Sequence, residues 1–402
     1  MISADSAVEL YEQAAALFAV GAWAGAERTA LEARDRFLRE DGSDSPDAAN
    51  VSNLLSRIAA ARGQYARSGE HARAAWEIME RLGERSTGVE AESIRLEALG
   101  NVGTALRSQG LYAEAEPWLR LAIEHAERCG LCATSQLNDL AVLYKYTGRF
   151  DEAERLYWKA LADTSGEDAA AATIYHNLGG LNHSRGEFAA AEPFARRACE
   201  IRERLSGPDH PDTLADACAL ASVLDGLGSY AESEPIYRHA LTVFTSMFGE
   251  MHLEVAVNLN NLAALRWAQG DAVEAESLYF RSLRIKRELL GDAHPDMALT
   301  LLNYASMLCD LERQGEARPM ALRALRVFEA VLEPSHPRIA AVRELCEVRL
   351  QRESGKGKID AAIGSSIVGG IGVPVAYAGP STLPGEDQVN AILPQSLAGK
   401  GT

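Results

Sequence analysis

An apolar residue stands eight positions before a recurring glycine, an aromatic two after it, and small residues five and twelve after it. The segment VGAWAGAE (20–27) returns as RGQYARSG, QGLYAEAE, TGRFDEAE, RGEFAAAE, LGSYAESE, QGDAVEAE and, weakened, LERQGEAR. The anchors are Gly21, Gly63, Gly110, Gly148, Gly186, Gly228, Gly270 and Glu312, at spacings of 42, 47, 38, 38, 42, 42 and 42. Steps of about four residues amount to one helical turn, which an all-helical unit absorbs. Such self-similarity decides the fold class before any local reading.

Each copy predicts a pair of helices. The glycine ends the first in a tight or left-handed turn, and the aromatic (Trp23, Tyr65, Tyr112, Phe150, Phe188 or Tyr230) packs into the junction. Ala272 and Gln314 replace it in the last two copies. Small residues seven apart, such as Ala26 and Ala33 or Ala191 and Ala198, lie on one face of the second helix and let helices approach closely. The apolar residue eight before the anchor (Leu55, Val102, Leu140, Leu178, Leu220, Leu262, Tyr304) faces the partner helix. The expectation is all-α: an α-solenoid of about eight helix-turn-helix units over residues 1–354, with Val342–Arg352 as a ninth, capping helix and a Gly/Pro-rich tail over 355–402.

The stretch NLAALRWAQGDAVEAESLYFRSLRIKRELLGDAHPDMA resembles a tetratricopeptide repeat. Its 42-residue spacing and the joints GDAHPD, GPDHPD and EPSHPR are similar to the longer kinesin light chain type. The resemblance covers residues 7 to about 352 and implies a right-handed superhelix whose concave face binds peptides or protein segments, without catalysis. The insertion around Gly83–Glu92 and the missing aromatics depart from the pattern.

Composition narrows the partners. Of 402 residues 47% are hydrophobic, and Lys+Arg 40 against Asp+Glu 57 gives a net charge of −17, which argues against nucleic acid as the main ligand. The glutamates after each anchor, Glu27, Glu116, Glu154, Glu192, Glu234 and Glu276 among them, sit at the start of second helices and read as a solvated face. The start of the chain has Asp5, Glu9 and Glu12 and no basic residue before Arg28, unlike a secretory signal. The uncharged run 361–385 holds six glycines and three prolines, so no stable membrane insertion is expected. Six scattered cysteines make no disulfide framework and fit a reducing, cytoplasmic setting.

Little of the sequence suggests chemistry. His210, His252, His294 and His336 recur 42 apart, a full repeat, and read as turn caps rather than ligands of one metal, with Pro211, Pro295 and Pro337 at the first helical position. Cys129-Gly-Leu-Cys132 is a lone CxxC without a second pair or a thioredoxin-like context; a redox-responsive switch through these two thiols stays open as an alternative function. Cys199 and Cys346 read as packing, whereas Cys218 and Cys309 map to the inner face as exposable thiols. No phosphate loop, nucleophile elbow or zincin motif occurs, so no enzyme, metal or cofactor is expected.

Counting back from each anchor assigns the inner face of the first helices. It gives Asn53 and Arg57; Asn101, Thr104 and Arg107; Asn138, Lys145 and Tyr146; His176, Asn177 and His183. It continues with Cys218, Ser222 and Asp225; Asn260, Asn261 and Trp267; Asn303, Ser306, Cys309 and Asp310. The first half is basic and amide-rich, helped by protonation of His176 or His183, and the second turns acidic. Amides can donate to and accept from an extended backbone, cations favour carboxylates, and Tyr146 and Trp267 offer stacking surface. The same amides can equally serve helix–helix hydrogen bonds. The expected role is a non-enzymatic adaptor or scaffold that binds an acidic, partly apolar segment. The tail, which carries Glu386 and Asp387 within PGEDQVNAILP, is either an unstructured extension, a segment that docks in that groove as a regulatory plug or on a partner, or a peptide that is released by a protease or acts on membranes.

Overall fold

The computed structural model describes residues 6–40, 42, 45–332, 334, 336–349, 376–378 and 388–390. First helices α1 (Ala7–Ala19), α3 (Pro46–Ala61), α5 (Val89–Ser108), α7 (Thr134–Thr147), α9 (Ala169–Ser184), α11 (Pro211–Gly226), α13 (Leu253–Ala268) and α15 (Pro295–Asp310) alternate with second helices. These are α2 (Trp23–Glu40), α4 (Tyr65–Leu82), α6 (Tyr112–Cys129), α8 (Phe150–Ala162), α10 (Phe188–Ser206), α12 (Tyr230–Phe248), α14 (Ala272–Leu290) and α16 (Gln314–Val331). The closing helix α17 runs Pro337–Glu344 and widens into a π-turn over Leu345–Arg349, so it begins five residues before the expected Val342. Short strands β1 (Ala376–Ala378) and β2 (Gln388–Asn390) pair antiparallel, Ala376 opposite Asn390 and Ala378 opposite Gln388. The expected boundary at 354/355 and the rest of the tail lie outside the described residues.

The chain divides into two compact units. One holds α1–α6, α7 as far as Leu143, and residues 155–165; the other holds Tyr144–Glu154, α9–α17 and both strands.

Local rules account for the elements. Ser6 and Glu9 close a reciprocal capping box on α1, Ser45 caps α3, Asp168 caps α9 and Asp271 caps α14. Each recurring histidine does the same work at its joint. His210, His252, His294 and His336 accept through Nδ1 from the backbone N–H two residues on, at 3.3, 3.3, 3.1 and 3.0 Å, with proline following at three of the four. The small residues five and twelve after each anchor are all buried, Ser68 at 2% exposure and the other fifteen at 0%. The seven glycine anchors take φ between 70° and 86°. Glu312 takes φ 58° in the eighth, the one non-glycine residue with positive φ among those described.

The glutamates after the anchors are half-buried and not merely solvated. Arg196 bonds Glu192 one turn back at 2.8 Å and reaches Glu232 of the next second helix at 3.2 Å. Forty-two residues on, Arg238 repeats this with Glu234 at 2.8 Å and Glu274 at 3.1 Å. In the first unit Glu27 binds both Arg62 and Arg67. Exposed pairs of this kind contribute about 0–1 kcal/mol each, so they tune register more than they hold the stack.

Two substitutions test this geometry. Glu312→Gly relieves a left-handed side chain and should stabilise the protein by ~1 kcal/mol, raising Tm and the urea midpoint. In Gly103→Ala the new Cβ would lie 2.6 Å from Leu119 Cγ, and the variant should lose about 1–3 kcal/mol. Gly69→Ala, whose nearest neighbours stand at 3.6 Å, should not.

Candidate functional site

The polar residues on the first helices fall into two sets. Residues ten before an anchor bond the next first helix. Asn53 Nδ2 donates to the Ile94 carbonyl at 3.0 Å. His176 Nδ1 meets Asp216 Oδ1 at 2.7 Å, the Cys218 thiol exchanges contacts with Asn258 at 3.4–3.7 Å, and Asn260 Oδ1 accepts from Asn303 at 3.3 Å. Asn260 in turn donates to Asn261 at 3.2 Å. These side chains latch repeat to repeat. Asn138 stands at the same register, buried.

The second set comprises Asn101, Asn177, Asn261 and Asn303, nine before their anchors, all buried below 5% exposure. Asn101 Nδ2 has no hydrogen-bond partner among the described residues. Arg107, Lys145 and Tyr146 are also buried, and Lys145 Nζ sits 5.4 Å from the Tyr146 ring centroid. Trp267 is half-buried. Arg57 is partly exposed, but its guanidinium stands 3.6 Å from Glu97 and over the Phe18 ring at 5.1 Å. Burial pushes the Glu97 carboxyl up while Arg57 pulls it down. Arg57 and Arg107 belong to the first unit and Lys145 to the second.

Three expectations about charge are corrected. His183 is not a cation: it is 2% exposed, its Nε2 faces the Ser222 carbonyl at 3.2 Å, Phe188 meets it edge-on, and burial brings its pKa down to about 3. Asp225 does not make the later helices acidic. It is enclosed, accepts from the hydroxyls of Ser233 and Tyr237, and burial pushes its pKa up to about 7. Cys218 and Cys309 are buried rather than exposable, and burial pushes the Cys218 thiol up to about 12.

His176 is held in a buried network. Asp216 accepts from Arg202 Nε at 3.2 Å as well as facing His176, and Arg202 also donates to Thr173 Oγ1 at 2.9 Å. His176, Asp216 and Arg202 are each at most 2% exposed. Counting from anchors misses this network because Arg202 lies on a second helix. Nor does it find the closure of Tyr146: Arg338 of α17 stands 5.9 Å from that ring, and His336 bonds the Tyr146 backbone.

The two close cysteines are unbridged. Cys132 Sγ lies 3.1 Å from Thr134 Oγ1, whereas the Cys129 thiol faces Glu92 Oε2 at 3.8 Å and His125 Nε2 at 3.9 Å.

A tetratricopeptide repeat family profile matches residues 94–164, 131–204, 170–246 and 254–330, together more than half of the 402 residues. The chain belongs to that family. Among solved structures it is similar to a Rap protein complexed with Competence and Sporulation Factor, at 13% identity over 87% of this chain and 97% of that one, TM-score 0.56. It is also similar to the Rap conjugation gene regulator of plasmid pLS20 in complex with the Phr* peptide, at 12% identity over 70% and 74%, TM-score 0.57. BtubC from P. vanneervenii is 22% identical over 65% of this chain and 97% of that one, TM-score 0.40. These likenesses concern the fold. No curated protein matches the chain. Among the described residues no helix is long and apolar enough to cross a membrane.

Both histidine environments give measurable outcomes. The His183 imidazole resonances should not titrate until pH approaches about 3. Because its folded pKa lies below the ordinary 6.5, the stability it contributes is complete above pH 6.5 and is lost as pH falls from there toward about 3. His183→Gln should flatten the unfolding free energy over that interval. Asp216→Ala leaves the buried Arg202 guanidinium only Asp212, at 3.9 Å, as a countercharge and should cost about 3–5 kcal/mol in urea unfolding.

Proposed function

We propose that this tetratricopeptide protein is a non-enzymatic adaptor that docks an extended protein or peptide segment on its first helices, and that in the second unit its own C-terminal segment occupies that face until a partner displaces it. The observation that supports this most is the course of β1 and β2, which run against α9, α11, α13 and α15, the helices that carry the amide and histidine positions. An extended chain leaves backbone donors and acceptors to satisfy, and a face rich in amides can do so with little regard to sequence. Lys145 and Tyr146 bias the choice toward segments that combine a carboxylate with apolar groups, and in the first unit Arg107 adds the same bias. Glu386 and Asp387 give the tail that character. The two Rap structures, complexes with Competence and Sporulation Factor and with the Phr* peptide, are consistent with such use of the fold.

Amide hydrogen exchange distinguishes an occupied face from an open one. A chain ending at Ser354 should exchange faster than the full chain in α9, α11, α13 and α15, and a synthetic peptide of residues 371–402 should restore protection. Unchanged exchange, with no binding of the peptide, removes self-occupancy. Lys145→Gln in the shortened chain should weaken the peptide and reduce the salt dependence of its binding; equal affinity and equal salt slope discard the charge preference.

A further inference from the structure

The connection between the second and third repeats is five residues longer than the 42-residue spacing, and the extra length has a structural result. After the short 3-10 turn Gly83–Arg85, α5 begins early, which brings Glu92 beside the end of α6. Arg95 fixes that segment. It donates to the carbonyls of Gly83 at 2.9 Å and Ser86 at 3.0 Å and to Glu92 Oε1 at 2.6 Å. The second carboxylate oxygen, Oε2, is thereby turned toward His125 Nε2 at 3.2 Å and Cys129 Sγ at 3.8 Å. His125 and Cys129 are one turn apart on α6, and their donor atoms are 3.9 Å apart.

Tetrahedral zinc, with bonds of about 2.0–2.1 Å to N and O and about 2.3 Å to S, sets its ligand atoms about 3.3 Å apart for N and O and about 3.5 Å apart for S and N or O. The observed triangle of 3.2, 3.8 and 3.9 Å is close to that figure. Cys132 follows in the exposed turn beyond Gly130, whose left-handed backbone (φ 67°, ψ 28°) reverses the chain at the end of α6. The CxxC, which lacks a second cysteine pair in the sequence, acquires a histidine and a carboxylate from the fold.

We propose that Glu92, His125 and Cys129 form a binding site for a thiophilic divalent cation of the zinc class, with Cys132 as the fourth ligand. Binding displaces the protons of both thiols to solvent and moves the imidazole proton from Nε2 to Nδ1. Arg128, exposed and 3.0 Å from Nδ1, turns away to admit that proton. Two thiolates and one carboxylate around a dication leave one negative charge, which Arg95 and Arg128 offset. The metal would tie the longer connection to the turn that leads into α7, making the stiffness of this corner dependent on zinc supply and thiol oxidation.

Cobalt(II) titration of the reduced full-length protein tests the site. One equivalent should produce thiolate-to-cobalt charge-transfer absorption and ligand-field bands of tetrahedral intensity, and zinc should bleach both. Cys129→Ser and Cys132→Ser should each reduce the charge transfer by about half, since each thiolate ligand contributes separately, and the double variant should abolish it. Glu92→Gln should weaken zinc in competition with a chromophoric chelator while leaving the circular dichroism unchanged. Cys199→Ser and Cys346→Ser should alter nothing. Absence of the charge-transfer band in the unmutated protein, or an undiminished band in Cys129→Ser, overturns the site; an unchanged band in Cys132→Ser overturns the fourth ligand.

Discussion

A polar side chain enclosed between two helices must find a partner there, because leaving it unpaired costs about 1–3 kcal/mol and more when it is charged. First helices of this protein are enclosed along much of their length, yet they carry asparagine, histidine, serine and aspartate in that interior. Pairing them across the repeat boundary is therefore a condition of stacking. Asn53 with the Ile94 carbonyl, His176 with Asp216, and Asn260 with Asn303 meet that condition with three different chemistries at one register position. A purely apolar interface would tolerate sliding by a turn; a bonded amide or imidazole does not. The latches thus fix the register of consecutive repeats, and whatever the same helices offer to a ligand must be built from the positions beside them.

Second helices obey a simpler constraint. Alanine or serine at two positions seven apart removes side-chain bulk, so approach is limited by backbone and by the residues that interlock with it. Glycines on the first helices let the second helices come closer still: Leu119 of α6 fills the space above Gly103 of α5, and the Phe188 ring of α10 occupies the place of a Gly226 Cβ at the end of α11. Variation in repeat length is taken up by the helices as well as the joints: α5, at 20 residues, is one turn longer than α3, at 16, and that added turn carries Glu92 to His125 and Cys129.

Features governed by near neighbours were legible in the sequence. The anchors, the histidine caps and the small-residue positions depend on contacts within a few residues or on one helical face, and the residue pattern states them directly. The role of the inner-face residues was not legible in the same way. An asparagine ten before an anchor looks the same whether its amide meets a ligand or the next helix, and the deciding partner lies some 40 residues away, as Ile94 does for Asn53. Arg57 reads as a free cation until Glu97 is placed against it. His183 reads as a titrating base until Phe188 and the surrounding helices exclude water from it. Distance in sequence, rather than weakness of the pattern, separates what can be read from what cannot.

The division between latching and neighbouring positions also constrains recognition. A ligand that competed for the latch amides would have to break bonds that hold adjacent repeats, and would pay for that in stacking free energy. Recognition that leaves the stack intact must draw on the remaining amides, on Lys145 and Tyr146 and on Trp267, a set with few full charges of its own. Specificity then comes from apolar and aromatic contacts at a few points along a segment whose backbone is held generically. Such a face suits a weakly bound resident segment, because a competing partner gains by matching those few points and need not disturb the bonds between repeats.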